Sequence, residues 1–224
     1  MPILGYILTA LGAYLLGSIP FGFLVAKAKG IDIRNVGSGN IGATNAMRVL
    51  GKPAGIFVLL MDVLKGYAAC AWLAPFIFNW LMPHFSGLFV YFQNEPAELQ
   101  LRIKVIAGIA AVLGHNYTCW LKFRGGKGIA TTAGVFLALA PWALLVGLVV
   151  FIFAVLLTKY VSVGSIAAAI ALPVTVWIMT PQSLFLCIVT TVLGALAIYK
   201  HKSNIQRLRA GTENRLGQKL GATK

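Results

Sequence analysis

At 224 residues, 59% hydrophobic and only 11% charged, with a mean hydropathy of +0.85, the chain has too much apolar surface for one water-soluble core, so a bilayer is its solvent. Its formal charge of +14, from 19 Lys and Arg against 5 Asp and Glu, would point to nucleic acid in a soluble protein. Positive-inside loops and anionic lipid explain the same excess here, and no nucleic-acid partner is expected.

In chain order, apolar segments run at about 3–26, 53–78, 104–116, 129–140, 141–158, 163–180 and 183–199. The first has no basic region before it and no clear small-residue cleavage signature ending it, so it is expected to be a retained span. A full span takes about 20 apolar residues, which leaves the third and fourth short or partly buried in protein. Lys27, Lys29, Arg34, Arg48 and Lys52 crowd the first loop, and Lys122, Arg124 and Lys127 a later one; the positive-inside rule faces both to the cytoplasm. From Lys200 onward seven Lys and Arg accompany one acid, Glu213, so the tail faces the same side. An even number of crossings must then separate Lys127 from Lys200, which requires 129–158 to break in two. Pro141 is the natural turn, because proline lacks a backbone donor and disfavours a helical residue before it. The polar stretch 91–102, with Glu95, Pro96 and Glu98, falls on the outer face between the second and third helices. The expected fold is all-α and polytopic: one membrane-embedded domain over 1–224, about seven transmembrane helices, N-terminus periplasmic and C-terminus cytoplasmic. No internal repeat is found, so an inverted-repeat transporter gains no support.

Three polar stretches could carry chemistry. The first loop reads Gly37-Ser38-Gly39-Asn40-Ile41-Gly42-Ala43-Thr44-Asn45-Ala46-Met47-Arg48. Glycines let backbone amides approach an anion, and Arg48 can grip a phosphate bidentately. A plain flexible turn would explain Gly and Ser, but not a string of amides ending in Arg. The second stretch, Gly114-His115-Asn116-Tyr117 and then Lys122-Phe123-Arg124-Gly125-Gly126-Lys127-Gly128, feeds a Gly-rich turn into an apolar helix. Amides at that helix start, with Lys127, would attract a second phosphate. It is not a nucleotide P-loop, because Gly128 and Ile129 follow the lysine and no strand precedes it. In the tail, His201 and Asn204 stand one helical turn apart if the last span continues, able to hold a polar substrate at the membrane surface. A solvated histidine at a helix end is the plainer reading of His201. Within the second apolar segment, Asp62 and Lys65 are three apart and can neutralise each other, as a functional or a structural pair. Cys70, Cys119 and Cys187 lack the spacing of a metal site; neither a metal nor a cofactor is expected.

Ser38-Gly39-Asn40 through Arg48, His115 through Gly128, and His201 through Glu213 together resemble the three signature loops of the PlsY family, the membrane acyl-phosphate:glycerol-3-phosphate acyltransferases of bacteria. The resemblance spans nearly the whole chain. It implies a seven-helix fold in the bacterial inner membrane, with the active site facing the cytoplasm. It also implies transfer of an acyl group from acyl-phosphate to glycerol 3-phosphate, giving 1-acylglycerol 3-phosphate and phosphate, the first acylation of phospholipid synthesis. By the same resemblance Ser38, Arg48, Lys127, His201, Asn204 and Glu213 are the expected catalytic residues, with Ser162 beside them at a substrate-binding position. Gly39, Asn40, Thr44, Asn45, His115, Asn116, Gly125, Gly126 and Gly128 complete the expected substrate-binding set. Membrane lipid is an expected partner, and a soluble acyl-phosphate-producing enzyme docking on the cytoplasmic face is a candidate one.

Acyl-phosphate is a mixed anhydride with a good leaving group, so positioning the acceptor hydroxyl can supply much of the rate. Charge stabilisation by Arg, Lys and oriented amides suits two anionic substrates. None of His84, His115 and His201 has Asp five residues on, the pair that soluble-type glycerolipid acyltransferases use. The rival readings are a transporter or channel for a phosphorylated small molecule and a non-catalytic membrane assembly protein.

Overall fold

Proline and glycine set most of the breaks between helices. The computed structural model describes residues 2–81 and 97–217, and among these all regular structure is helical. Residues 91–96 of the predicted outer stretch, and Lys219 and Lys224 of the basic tail, lie outside the described residues. Two compact units form along the chain, Met1–Leu139 and Ala140–Lys224.

In the first unit, the predicted span 3–26 is one apolar stretch, Ile3–Lys27, interrupted between α1 (Pro2–Ser18) and α2 (Phe21–Lys27). Pro20 has no N–H and restricts Ile19, so the helix stops and restarts. A short amphipathic helix follows, α3 (Ala43–Leu50), where the sequence reading had only a loop. The helix α4 (Lys52–Ala68) starts with Pro53 in its first turn. It runs on without a break through π-helical Ala69–Leu73, the α-turn Ala74–Phe76 and π-helical Ile77–Leu81. Next comes α5 (Ala97–Asn116), seven residues earlier than the predicted start at 104. Glu98 in its first turn and the Glu98–Arg102 ion pair one turn apart keep this polar end helical, so 97–102 is helix rather than loop. The unit closes with α6 (Ile129–Leu139).

The close helix pairs are built on glycine. A Cβ on Gly17 of α1 would lie 2.1 Å from the Ala111 carbonyl oxygen of α5, and one on Gly114 of α5 would lie 2.2 Å from that of Tyr14. Gly66 of α4 and Gly134 of α6 meet Thr131 and Val63 backbone in the same way. Helices in lipid associate through such close backbone approach, because the lipid tails remove the hydrophobic drive between them.

In the second unit, α7 (Pro141–Thr158) begins at the proline that the charge argument chose as the turn. It pairs with α8 (Val161–Met179), and α8 with α9 (Leu184–Lys200). Pro173 lies inside α8 and leaves the Ala169 carbonyl without its helical donor. Gly194 of α9 packs on that carbonyl, where a Cβ would come within 2.6 Å. The last helix is α10 (Lys202–Arg209), bent by 51° from α9 at His201. The final span therefore does not run on straight past His201 as the spacing argument supposed.

Among the described residues, four helical stretches are long and apolar enough to cross a membrane: Ile3–Lys27, Lys52–Asn79, Pro141–Thr158 and Val161–Met179. The bent pair Leu184–Lys200 with Lys202–Arg209 makes a fifth. Their exposed faces are strongly apolar, with Leu145, Phe153 and Leu157 of α7 each at least half exposed, the composition of a lipid-facing surface. With 11 residues, α6 is about 16 Å long, short of a hydrocarbon core of about 30 Å.

Candidate active site

The first polar stretch is a loop tied down by one amide. Asn45, on the first turn of α3, is 2% exposed. Its Nδ2 donates to the carbonyls of Ile33, Val36 and Asn40 at 3.3, 3.0 and 2.9 Å. Its Oδ1 accepts from Ser38 N–H at 2.9 Å. Asn40 Oδ1 accepts from Gly42 N–H at 2.8 Å just ahead of the helix, an Asx turn that sets the entry into α3. Gly39 has φ +69° and would place a Cβ 2.9 Å from the Arg34 carbonyl oxygen, so only glycine fits. Ser38 and Thr44 are left exposed and Arg48 half-buried on the last turn of α3. Upstream, the Arg34 side chain and then its backbone N–H hold the Asp32 carboxyl down to about 2.

The second stretch folds back onto the end of α5. Gly126 N–H donates to the His115 carbonyl at 3.0 Å and Gly125 N–H to that of Asn116 at 3.2 Å. A Cβ on Gly126 would lie 2.1 Å from His115 Nε2, and one on Gly128, at φ +82°, would lie 2.7 Å from Asn116 Oδ1. His115 and Asn116 are 5% and 0% exposed, so they act as the bed on which the glycines lie, while Lys127 between them is half-buried. His115, Asn116 and Asn45, expected as substrate contacts, are buried against the backbone of these loops. His115 also reaches into the helix pair below, its Nδ1 3.5 Å from Asp62 Oδ1, which in turn pairs with Lys65 Nζ at 2.7 Å.

In the second unit, Lys159 ends α7 in the left-handed region and α8 starts two residues later, with Ser162 buried in its first turn. Ser162 Oγ donates to Glu213 Oε1 at 2.9 Å, Asn204 Nδ2 to the same oxygen at 2.6 Å, and Arg207 Nε to Oε2 at 2.7 Å. Burial alone would raise the Glu213 carboxyl; the hydrogen bonds from Asn204, Arg207 and Ser162 outweigh it and hold it below the ordinary value. His201, at the bend, is 2% exposed rather than solvated. Its Nδ1 lies 2.7 Å from the Ala197 carbonyl. A carbonyl only accepts, so Nδ1 carries a proton and donates to it.

The structure thus brings Ser38, Asn40, Asn45 and the turn into α3 together, gathers His115, Asn116 and Gly125–Gly128, and gathers Ser162, Asn204 and Glu213. Arg207 was missed as a member of the last group. Its signal was its spacing, three residues after Asn204 and six before the tail's one carboxylate.

The chain matches the family model for glycerol-3-phosphate acyltransferase over residues 7–211. It is 45% identical over 210 residues to the glycerol-3-phosphate acyltransferase of Geotalea daltonii, covering 93% of this chain and 96% of the relative. It is 47% identical to that of Trichlorobacter lovleyi, covering 91% and 94%. Among solved structures it resembles PlsY, an integral membrane glycerol 3-phosphate acyltransferase crystallised in a glycerol 3-phosphate form (37% identity, TM-score 0.79, 95% of this chain and 96% of the other). It also resembles the lysophosphatidic acid form of that protein (36% identity, TM-score 0.76, 95% of each chain). Matched along almost its entire length in both sequence and fold, the chain belongs to the glycerol-3-phosphate acyltransferase family, that of PlsY.

Proposed function

We propose that this protein transfers a fatty acyl group from acyl-phosphate to glycerol 3-phosphate, giving 1-acylglycerol 3-phosphate and inorganic phosphate. The observation that carries the reading is the similarity to a solved acyltransferase captured in one form with glycerol 3-phosphate and in another with lysophosphatidic acid, an acceptor and its acylated product. The acceptor hydroxyl oxygen bonds to the acyl carbon, the acyl–phosphate C–O bond breaks, and the hydroxyl proton goes to a phosphate oxygen. The anhydride donor suits a site whose polar groups are amides, hydroxyls and cations, since leaving phosphate needs charge stabilisation more than a protein nucleophile.

Arg48 and Lys127 bind substrate phosphate, with Ser38, Gly39, Asn40 and Thr44 supplying hydroxyl and amide groups around it. His201, Asn204 and Ser162 orient the acceptor, and Glu213 fixes the rotamers of Ser162 and Asn204. The remaining contacts come from the backbone that Asn45, His115, Asn116, Gly125, Gly126 and Gly128 hold in shape. Seven crossings with the N-terminus outside, a bacterial inner-membrane location and a cytoplasmic-facing site accord with the charge of the loops. A soluble enzyme that makes acyl-phosphate would then reach the site from its own compartment.

Phosphate release by purified protein in lipid, given acyl-phosphate with and without glycerol 3-phosphate, tests the reading. Acceptor-dependent release that Lys127→Ala abolishes is the expected result. No release from folded wild type would point instead to transport of a phosphorylated molecule. An acyl group trapped on Ser38 by rapid quenching, at kinetically competent levels, would replace direct attack with an acyl-enzyme.

A further inference from the structure

We infer that Asp62 is a positioning residue for the Gly126–Lys127 backbone, acting through the imidazole of His115. Asp62 and Lys65 lie on one face of α4, 2% and 3% exposed. Charges at such depth are costly, and a matched pair of this kind can be replaced by apolar side chains with little loss of stability. Stability alone therefore does not account for the pair.

Lys65 has a local task. Its Nζ donates to the Ile19 carbonyl at 2.9 Å, at the end of α1 where Pro20 breaks the helix, and it faces the Phe21 ring at 5.6 Å. That carbonyl also accepts from Phe21 N–H at 3.2 Å, so the ammonium is a second donor, placed where the C-terminus of a helix favours a cation. Asp62 Oδ1 is shared between that ammonium, at 2.7 Å, and His115 Nδ1, at 3.5 Å. On the far side of the ring, Nε2 abuts Gly126 so closely that no Cβ fits, and the His115 carbonyl accepts from Gly126 N–H. A ring with a carboxylate oxygen 3.5 Å from one edge, a polar contact longer than a well-formed hydrogen bond, and a glycine against the other bounds where the next residue, Lys127, begins. An apolar residue at 62 would keep the packing and remove the polar group that faces the ring.

The inference rests on the acyltransferase reading, and the test separates the two. Two neutral pairs are made in the full chain, Asp62→Asn/Lys65→Met and Asp62→Leu/Lys65→Met. Both remove the buried charges, and only asparagine keeps an acceptor for His115. Each is compared with wild type in lipid for melting temperature and for acyl-phosphate turnover dependent on glycerol 3-phosphate. The expected result is melting within about 3 °C of one another, with kcat in the leucine pair at least about tenfold below that of the asparagine pair. Equal turnover of the two pairs, high or low, beside an active wild type overturns the inference and leaves the reading intact. A silent wild type overturns both. If the leucine pair does not fold, His115→Gln, which keeps a donor toward Asp62, and His115→Leu replace it; the glutamine variant must exceed the leucine variant by the same margin, and a tie overturns the inference.

Discussion

The Asn45 side chain holds four backbone groups of the first loop at once, three carbonyls and the Ser38 N–H. Asn45→Ala leaves those groups without partners and should lower stability by about 2–3 kcal/mol, read as a shift in denaturant midpoint, with turnover lost. Asn45→Asp keeps the acceptor for Ser38 N–H but turns a carboxylate oxygen toward the three carbonyls, and should destabilise at least as much. Glu213 has a signed pH dependence. Its carboxyl is held below the ordinary 4.5, so the stability it contributes is fully present above 4.5 and fades as pH falls through the lower folded value. Arg207→Gln removes one of the groups that lower it, so the acid limb of a melting-temperature profile should move to higher pH. An acid limb unchanged by that substitution would show that the Arg207 contact does not matter to the tail. At this scale the sequence marked the loops in which polar side chains cluster, and left open which of those side chains bind the backbone. Spacing shows that Asn45 and His115 are near a loop, but not that their side chains turn inward to carry its backbone.

Among the elements, the apolar runs located the long helices well because lipid leaves the backbone no partner but itself. The break at Pro141 was legible for the same reason that the proline makes it. The helix Ala43–Leu50 was not, since Gly42, Thr44 and Asn45 at its start read as a turn when taken one by one. The π-helical turns in the continuation of α4 have no sequence signature of comparable strength. Two substitutions test the close approaches. Gly17→Ala forces a methyl onto the Ala111 backbone and should cost about 1–3 kcal/mol, read by unfolding in mixed micelles. Gly126→Ala drives into the His115 ring; helix content by circular dichroism should hold while turnover falls on the order of a hundredfold, the effect of a shift of about 1 Å at a reacting centre.

For the molecule as a whole, orientation in the bilayer is the property that most needs measuring, and a native thiol reports it. Cys119 is partly exposed in the second polar stretch, whereas Cys70 and Cys187 are buried. A membrane-impermeant maleimide should label Cys119 in inverted vesicles and not in right-side-out ones if that stretch faces the cytoplasm. Labelling in the reverse sense would overturn the proposed orientation. The Glu213 contacts carry a further consequence, in time rather than space. Ser162 precedes Glu213 by 51 residues, and the last apolar helix ends at Lys200. Every apolar helix described here leaves the ribosome before the carboxylate that ties Ser162 to Asn204. A nascent chain can therefore begin to enter the bilayer with that polar cluster still open, and the cluster cannot close until Glu213 has been made.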